Sequence, residues 1–229
     1  MAIAVIPARG GSKRIPRKNI RLFHGRPMIA WSIEAALQSG CFSRVIVSTD
    51  DDEIADVSRA NGAEVPFRRP AELSDDHTGT IPVIAHAVAW HRQQGIDTGP
   101  VCCIYATAPL IEGEDIKAGL QLLETEGCNY VFPVTSFSFP IQRAIRVTPE
   151  SRVEMFYPEH FNTRSQDLED AYHDAGQFYW GTAEAWLQHK QIFSSIAAPL
   201  VLPRYRVQDI DTWEDWERVE RMFAAVRKR

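Results

Sequence analysis

Ile6-Pro7-Ala8-Arg9-Gly10-Gly11-Ser12-Lys13-Arg14-Ile15-Pro16-Arg17-Lys18-Asn19 follows directly on an apolar run, Ala2 to Ile6, and decides how the rest of the chain is read. A short strand entering a Gly-rich loop at the start of an α/β domain is the usual seat of nucleotide phosphates. Gly10 and Gly11, with Ala8 before them, let backbone N–H groups converge on an anion, and the neighbouring cations neutralise it. The charge is one-sided. Arg9, Lys13, Arg14, Arg17, Lys18, Arg21 and Arg26 all precede the first acid, Glu34, in a chain with 25 basic and 30 acidic residues. A cationic loop on an acidic body points to a polyphosphate site.

Other readings of the loop fit less well. A nucleic-acid patch would be one part of a wider basic surface, whereas the net charge here is −5. The P-loop pattern Gly-x-x-x-x-Gly-Lys-Ser/Thr and the dinucleotide pattern Gly-x-Gly-x-x-Gly are both absent. No apolar run approaches the ~18 residues of a membrane span. The chain starts on a strand rather than on a signal peptide. Cys41, Cys102, Cys103 and Cys128 lack metal-ligand spacing, and Cys102 and Cys103, in an apolar strand, read as small apolar residues. These features suggest a reduced, cytoplasmic protein.

Strand and helix signals then alternate. Pro27 opens a helix that Gly40 stops, and Arg44 to Thr49 is a buried strand before Asp50-Asp51-Asp52. Helices are expected at Ile54 to Asn61, Thr80 to Gln94, Asp115 to Glu126, Thr182 to His189 and Thr212 to Arg227. Strands are expected at Ala63 to Val65, Val101 to Ala106, Tyr130 to Thr135, Gln177 to Trp180 and Pro199 to Leu202. The class is α/β: a Rossmann-like, mostly parallel central sheet with helices on both faces, and ligands at the carboxyl ends of its strands. Residues 1–229 form one domain, in which 136–175 break the rhythm as a β-rich lid or dimerisation excursion. Trp213, Trp216, Val219, Met222, Phe223 and Val226, at helical spacing, read as core.

A second chemical signal is Asp209-Ile210-Asp211. Carboxylates at i and i+2 of an extended segment share a side and suit Mg²⁺, a hard cation that takes few protein oxygens. The plainer alternative is that Asp211 caps the helix beginning at Thr212. Beside a cationic loop the metal reading gains, because nucleotidyl transfer needs both. Arg69 is either a phosphate clamp or a solvated loop cation, and Thr80 is either a cap or a contact to base or phosphate. No nucleophile arrangement stands out.

Residues 6 to 19 resemble the signature of the CMP-sialic acid synthetases, the sugar-acid cytidylyltransferases. The resemblance continues through Val-Ile-Val-Ser-Thr-Asp (45 to 50), Arg-Pro-Ala-Glu-Leu (69 to 73), Thr-Ala-Pro-Leu (107 to 110) and Asp-Ile-Asp-Thr (209 to 212). It implies that Arg9, Ser12, Lys13, Lys18 and Asn19 hold the CTP phosphates and that Arg69 and Thr80 meet the cytidine part. It also implies that Asp209 and Asp211 carry Mg²⁺ in a homodimer whose excursion reaches across the interface. The implied reaction is attack of the anomeric hydroxyl of a nonulosonic acid on the α-phosphorus of CTP, with release of pyrophosphate. Lys18, Asp209 and Asp211 are its catalytic residues.

The sequence departs from the sialic acid pattern at the sugar end. Ile104-Tyr105-Ala106-Thr107-Ala108-Pro109 replaces Leu-Gln-Pro-Thr-Ser-Pro, and His173-Asp174-Ala175-Gly176-Gln177-Phe178-Tyr179 replaces Arg-Pro-Asn-Gly-x-x-Tyr. Both resemble the pseudaminic acid branch of the family. Tyr105, His173 and Gln177 are therefore expected to line the sugar pocket, with Arg164 on the sugar carboxylate. The alternatives are another nonulosonic acid, such as N-acetylneuraminic or legionaminic acid, or a non-catalytic nucleotide sensor.

Overall fold

The structure is a computed structural model describing residues 2–226. Its strands are β1 (Ala2–Pro7), β2 (Leu22–Phe23), β3 (Arg26–Pro27), β4 (Phe42–Ser48), β5 (Val101–Ile104), β6 (Tyr130–Ser136), β7 (Ile145–Val147), β8 (Val153–Met155), β9 (Tyr172–Asp174), β10 (Phe178–Gly181) and β11 (Ala197–Val201). The helices are α1 (Met28–Ser39), α2 (Asp52–Ala60), α3 (Thr80–Gln93), α4 (Gly113–Glu126), α5 (Ala183–Leu187) and α6 (Trp213–Val226). The expected extension of the last helix to Arg227 lies outside the described residues.

The sheet runs β11-β6-β10-β5-β1-β4, with β9 added beside β6. β1 is parallel to both β4 and β5, and β11 is parallel to β6. β10 lies antiparallel between β5 and β6, and β9 is antiparallel to β6. The sheet is therefore mixed although mostly parallel, because the chain re-enters it from the 136–175 segment rather than from a crossover helix. Strand alternation supplies both cores. Ala2, Ala4 and Ile6 face one layer with Ile29 and Ile33 of α1 and Ile116 of α4, while Ile3 and Val5 face the other with Ile84 and Val88 of α3 and Trp186 of α5.

Local chemistry sets the boundaries. Gly40 adopts φ 67° and closes α1, as its position after the periodic run leads one to expect. Asp51 caps α2 by accepting from Ile54 N at 2.9 Å. Ala63 to Val65 is reduced to a single bridge, Ile46 to Glu64. The unanticipated β2–β3 hairpin carries Phe23 into a third cluster with Ile15, Met28, Trp31, Ile210, Trp216 and Phe223, which anchors α6 beside the cationic loop. Trp213 stands outside that cluster: it is half exposed, with the Arg21 guanidinium 4.6 Å above its ring.

The 136–175 segment contains the small β7–β8 hairpin and several short turns. Phe139, Val147, Val153 and Phe161 on it are exposed. No helix among the described residues is long and apolar enough to cross a membrane.

Candidate active site

The carboxyl ends of β1 and β5 open onto one cavity of about 570 Å³. It gathers Arg9, Ser12, Lys13, Lys18, Asn19, Arg69, Thr80, Tyr105, Asp209 and Asp211, with Arg14 and Asp76 beside them. The expected phosphate, cytidine and metal residues thus meet although they span two hundred positions of sequence.

The loop is shaped by its own hydrogen bonds. Ser12 Oγ donates to Ile15 O at 2.7 Å, and Asn19 Nδ2 donates to Arg9 O at 2.9 Å. Asn19 O in turn accepts from Ile29 N at 2.8 Å, tying the loop to α1. Gly10 has a packing reason of its own: a Cβ there would lie 2.6 Å from Asp51 Oδ2. Its N–H is committed to Asp50 Oδ1 at 3.1 Å. Ala8 is buried, with its N–H on Ser48 O at 2.9 Å. Ala8, Gly10 and Gly11 therefore shape the loop but are not among the cavity lining, which its side-chain cations dominate.

Arg17 takes φ 57° and grips Asp51 through two bonds of 2.6 and 2.9 Å. That grip holds the Asp51 carboxyl down at about 2, with burial opposing it. A carboxyl lowered in the fold adds stability above its ordinary range and loses it as pH falls through the folded value. Asp51→Asn is accordingly expected to cost about 1–2 kcal/mol at neutral pH after allowance for solvent screening. The deficit should shrink as the pH drops from the ordinary carboxylate range towards 2. Urea unfolding at several pH values measures this; a deficit independent of pH would refute the ion-pair account.

Carboxylates balance the cations of the loop. Asp76 pairs with both Arg9 and Lys13, and Arg14 reaches Asp211 at 2.8 Å. Lys18 donates to Ile210 O, with its ammonium 3.7 Å from Asp211. Asp76 was not singled out by the sequence reading; only the fold brings it to the loop. Arg69 is buried rather than solvated, bonded to Ser48 Oγ at 3.2 Å and to the Ser48 carbonyl. Burial pushes its guanidinium down to about 10, still a cation at neutral pH. A desolvated cation facing a cavity suits an anionic or carbonyl-bearing ligand.

The two readings of Asp211 now separate. Thr212 Oγ1 accepts from Asp215 N at 3.2 Å while Asp215 Oδ2 accepts from Thr212 N at 2.8 Å, so Thr212 and Asp215 cap α6 reciprocally. Asp211 is free of that duty and lines the cavity with Asp209. Burial, and then the neighbouring Asp211 charge, pushes the Asp209 carboxyl up. Two like charges held together, one of them partly desolvated, form a donor pair that a hard dication would relieve. Among the described residues no group of three or more His, Cys, Asp or Glu could hold a metal on its own. A Mg²⁺ ion held by Asp209 and Asp211 would take its remaining ligands from phosphate and water.

Thr80 opens α3, but Gly79 occupies the cap position, and the Thr80 hydroxyl instead lies 3.2 Å from Tyr105 Oη. At the sugar end three of the expected residues do not line this cavity. Gln177 is buried and donates to Arg206 O at 2.6 Å, because strand β10 turns it inward; it does not line the cavity. His173 lies exposed on β9 with its ring against Phe137, 4.9 Å between centroids. Arg164 is exposed on the excursion, paired with Asp167 at 2.7 Å. Of the four expected sugar residues, Tyr105 alone faces the cavity.

Comparison with known proteins places the chain among cytidylyltransferases. A cytidylyltransferase family model matches residues 3–215. A pseudaminic acid cytidylyltransferase of Campylobacter jejuni subsp. jejuni is 46% identical over 94% of this chain and 93% of its own. A CMP-N,N'-diacetyllegionaminic acid synthase of Legionella pneumophila is 34% identical over 96% and 95%. Among solved structures, a CMP:2-keto-3-deoxy-manno-octonic acid synthetase complexed with CTP superposes with a TM-score of 0.71 at 19% identity, covering 98% and 99% of the two chains. That last likeness concerns the fold.

Proposed function

The chain belongs to the cytidylyltransferase family, and from that premise we propose that it transfers CMP from CTP to the anomeric hydroxyl of pseudaminic acid, giving CMP-pseudaminic acid and pyrophosphate. The observation that carries the reading is the meeting of Arg9, Lys13, Lys18 and Arg69 with Asp209, Asp211 and Tyr105 around one cavity. The loop cations meet the triphosphate and neutralise the departing pyrophosphate as its charge develops. Arg69 and Thr80 hold the cytidine end. Asp209 and Asp211 hold Mg²⁺, which stabilises charge on the reacting phosphoryl group when bound. Lys18 keeps that carboxylate pair in place through Ile210 O and Asp211.

Exposed Phe139, Val147, Val153 and Phe161 favour a homodimer formed through the 136–175 excursion. Arg164 on that excursion would then meet the sugar carboxylate in the neighbouring protomer's cavity. Free Cys41, Cys102, Cys103 and Cys128 suit a reducing, cytoplasmic compartment.

The test is pyrophosphate release with CTP and Mg²⁺, comparing pseudaminic, N-acetylneuraminic and legionaminic acids. Turnover is expected with pseudaminic acid and at least about tenfold lower kcat/KM with the others, the size of one lost polar contact. A preference for either other acid would move the substrate, and silence with all three would leave a nucleotide sensor.

A further inference from the structure

Gln177 and Arg206 do not line the cavity, yet both are bound into the segment that delivers Asp209 and Asp211 to it. Gln177 is 3% exposed, and its Nε2 donates to Arg206 O at 2.6 Å. Its Oε1 is buried with no hydrogen-bond partner. An apolar side chain would fill the same space without leaving an oxygen unpaired. What the amide alone supplies is the bond to Arg206 O.

The Arg206 side chain is held as firmly. Its guanidinium meets Asp115 through two bonds of 2.6 and 3.2 Å, and Glu112 at 2.6 Å. It is 12% exposed, so this fork works largely out of water. Glu112 and Asp115 stand at the start of α4, which is wedged in place. A Cβ on Gly113 would lie 3.1 Å from Ser39 N, and one on Gly119 would lie 2.8 Å from the Trp180 ring. The fork therefore ties the 206–211 segment to a part of the core with little room to shift.

From Arg206 the chain runs extended through Val207 (φ −121°, ψ 117°) and reaches Asp209 three residues on. Gly176, next to Gln177, closes on that carboxylate: a Cβ there would lie 3.8 Å from Asp209 Cβ and Cγ. Downstream, Ile210 is fully buried, and Asp211 N donates to Asp215 Oδ2 at 3.1 Å. The downstream side of the pair is thus set by α6, and the upstream side by Gln177 and Arg206. Both carboxylates must be offered at a fixed spacing if one dication is to take both.

We propose that Gln177 and Arg206 are positioning residues for the metal carboxylates: they fix Asp209 and Asp211 at the spacing a divalent cation requires, Arg206 through α4 and Gln177 through the Arg206 carbonyl. The inference rests on the reading of Asp209 and Asp211 as the Mg²⁺ pair. It gives Gln177 a part in the reaction from outside the cavity.

The experiment follows Mn²⁺ binding to the enzyme–CTP complex by loss of the free-ion EPR signal, with CTP kept below the protein concentration. Wild type is compared with Gln177→Leu, Arg206→Lys and Asp211→Ala. Gln177→Leu and Arg206→Lys should each weaken Mn²⁺ binding about tenfold, the scale on which residues behind metal ligands act. Their CTP affinity in EDTA, read by calorimetry, should stay within about twofold of wild type. In pyrophosphate release their apparent Mg²⁺ constant should rise by the same factor, and excess Mg²⁺ should restore kcat, which a loosened fold would not allow. Gln177→Leu removes the unpaired oxygen along with the bond, and stands in should Arg206→Lys fail to fold. Wild-type Mn²⁺ binding by Gln177→Leu and Arg206→Lys, with binding lost in Asp211→Ala, would overturn the proposal and leave the Mg²⁺ reading standing. A loss of turnover that excess Mg²⁺ leaves unrepaired would overturn it too. No uptake of Mn²⁺ by the wild type, or uptake unchanged in Asp211→Ala, overturns the Mg²⁺ reading itself, and the proposal with it.

Discussion

Asp211→Ala lowers pyrophosphate release by on the order of 10²–10³-fold, the scale of losing one group that stabilises transition-state charge, while CTP binding is kept or strengthened. The two effects have opposite signs for one reason. Asp211 sits among cations, 2.8 Å from Arg14 and 3.7 Å from Lys18. Its removal frees Arg14 and takes a countercharge away from Lys18, which keeps its bond to Ile210 O, so ground-state binding gains positive charge. The same removal halves the carboxylate pair with Asp209, and on the proposal that this pair would hold Mg²⁺ at the reacting phosphoryl group, turnover is expected to fall. Calorimetric titration of CTP, beside the pyrophosphate assay, separates the two. An Asp211→Ala enzyme with full activity would falsify the metal assignment, and one unable to bind CTP would show that Asp211 supports the loop instead.

Trp180→Ala is expected to cost about 3–5 kcal/mol of stability, as for other fully buried large aromatics. Trp180 is fully buried, donates Nε1–H to Ile116 O at 2.8 Å, and stacks on Phe42 with 5.1 Å between centroids. α4 approaches it so closely that a Cβ on Gly119 would lie 2.8 Å from its ring. A helix seated that tightly cannot collapse into the space an alanine leaves, and Ile116 O would lose its partner. Urea denaturation of the two proteins measures the loss; a change below about 1 kcal/mol would show that α4 relaxes onto the sheet.

Much of the site was legible because its chemistry is local. The cations of residues 9 to 19 are crowded by sequence neighbours alone, and a loop leaving a buried strand has little choice but to face the carboxyl edge of the sheet. Arg69 was harder. Its loop composition leaves a clamp and a solvated cation equally open, and the bonds to Ser48 draw it inside. Gln177, expected at the sugar pocket, is buried with its amide donating to Arg206 O, a partner that lies 29 positions away and that no local pattern announces. Alternation along β10 puts Phe178 and Trp180 in one layer and Tyr179 in the other, but it carries no information on strand direction. The antiparallel insertion of β10 therefore stayed hidden.

By itself the sequence determined the α/β architecture, the cationic loop after β1 and the presence of a carboxylate pair before α6, because periodicity and charge crowding act between near neighbours. Tertiary structure alone decided that Asp76 faces Arg9 and Lys13, that Thr212 with Asp215 leaves Asp211 to the cavity, and that Arg206 ties the carboxylate segment to Asp115. Those partnerships depend on which side chains strand register and loop closure bring within hydrogen-bonding distance. No spacing along the chain encodes that distance.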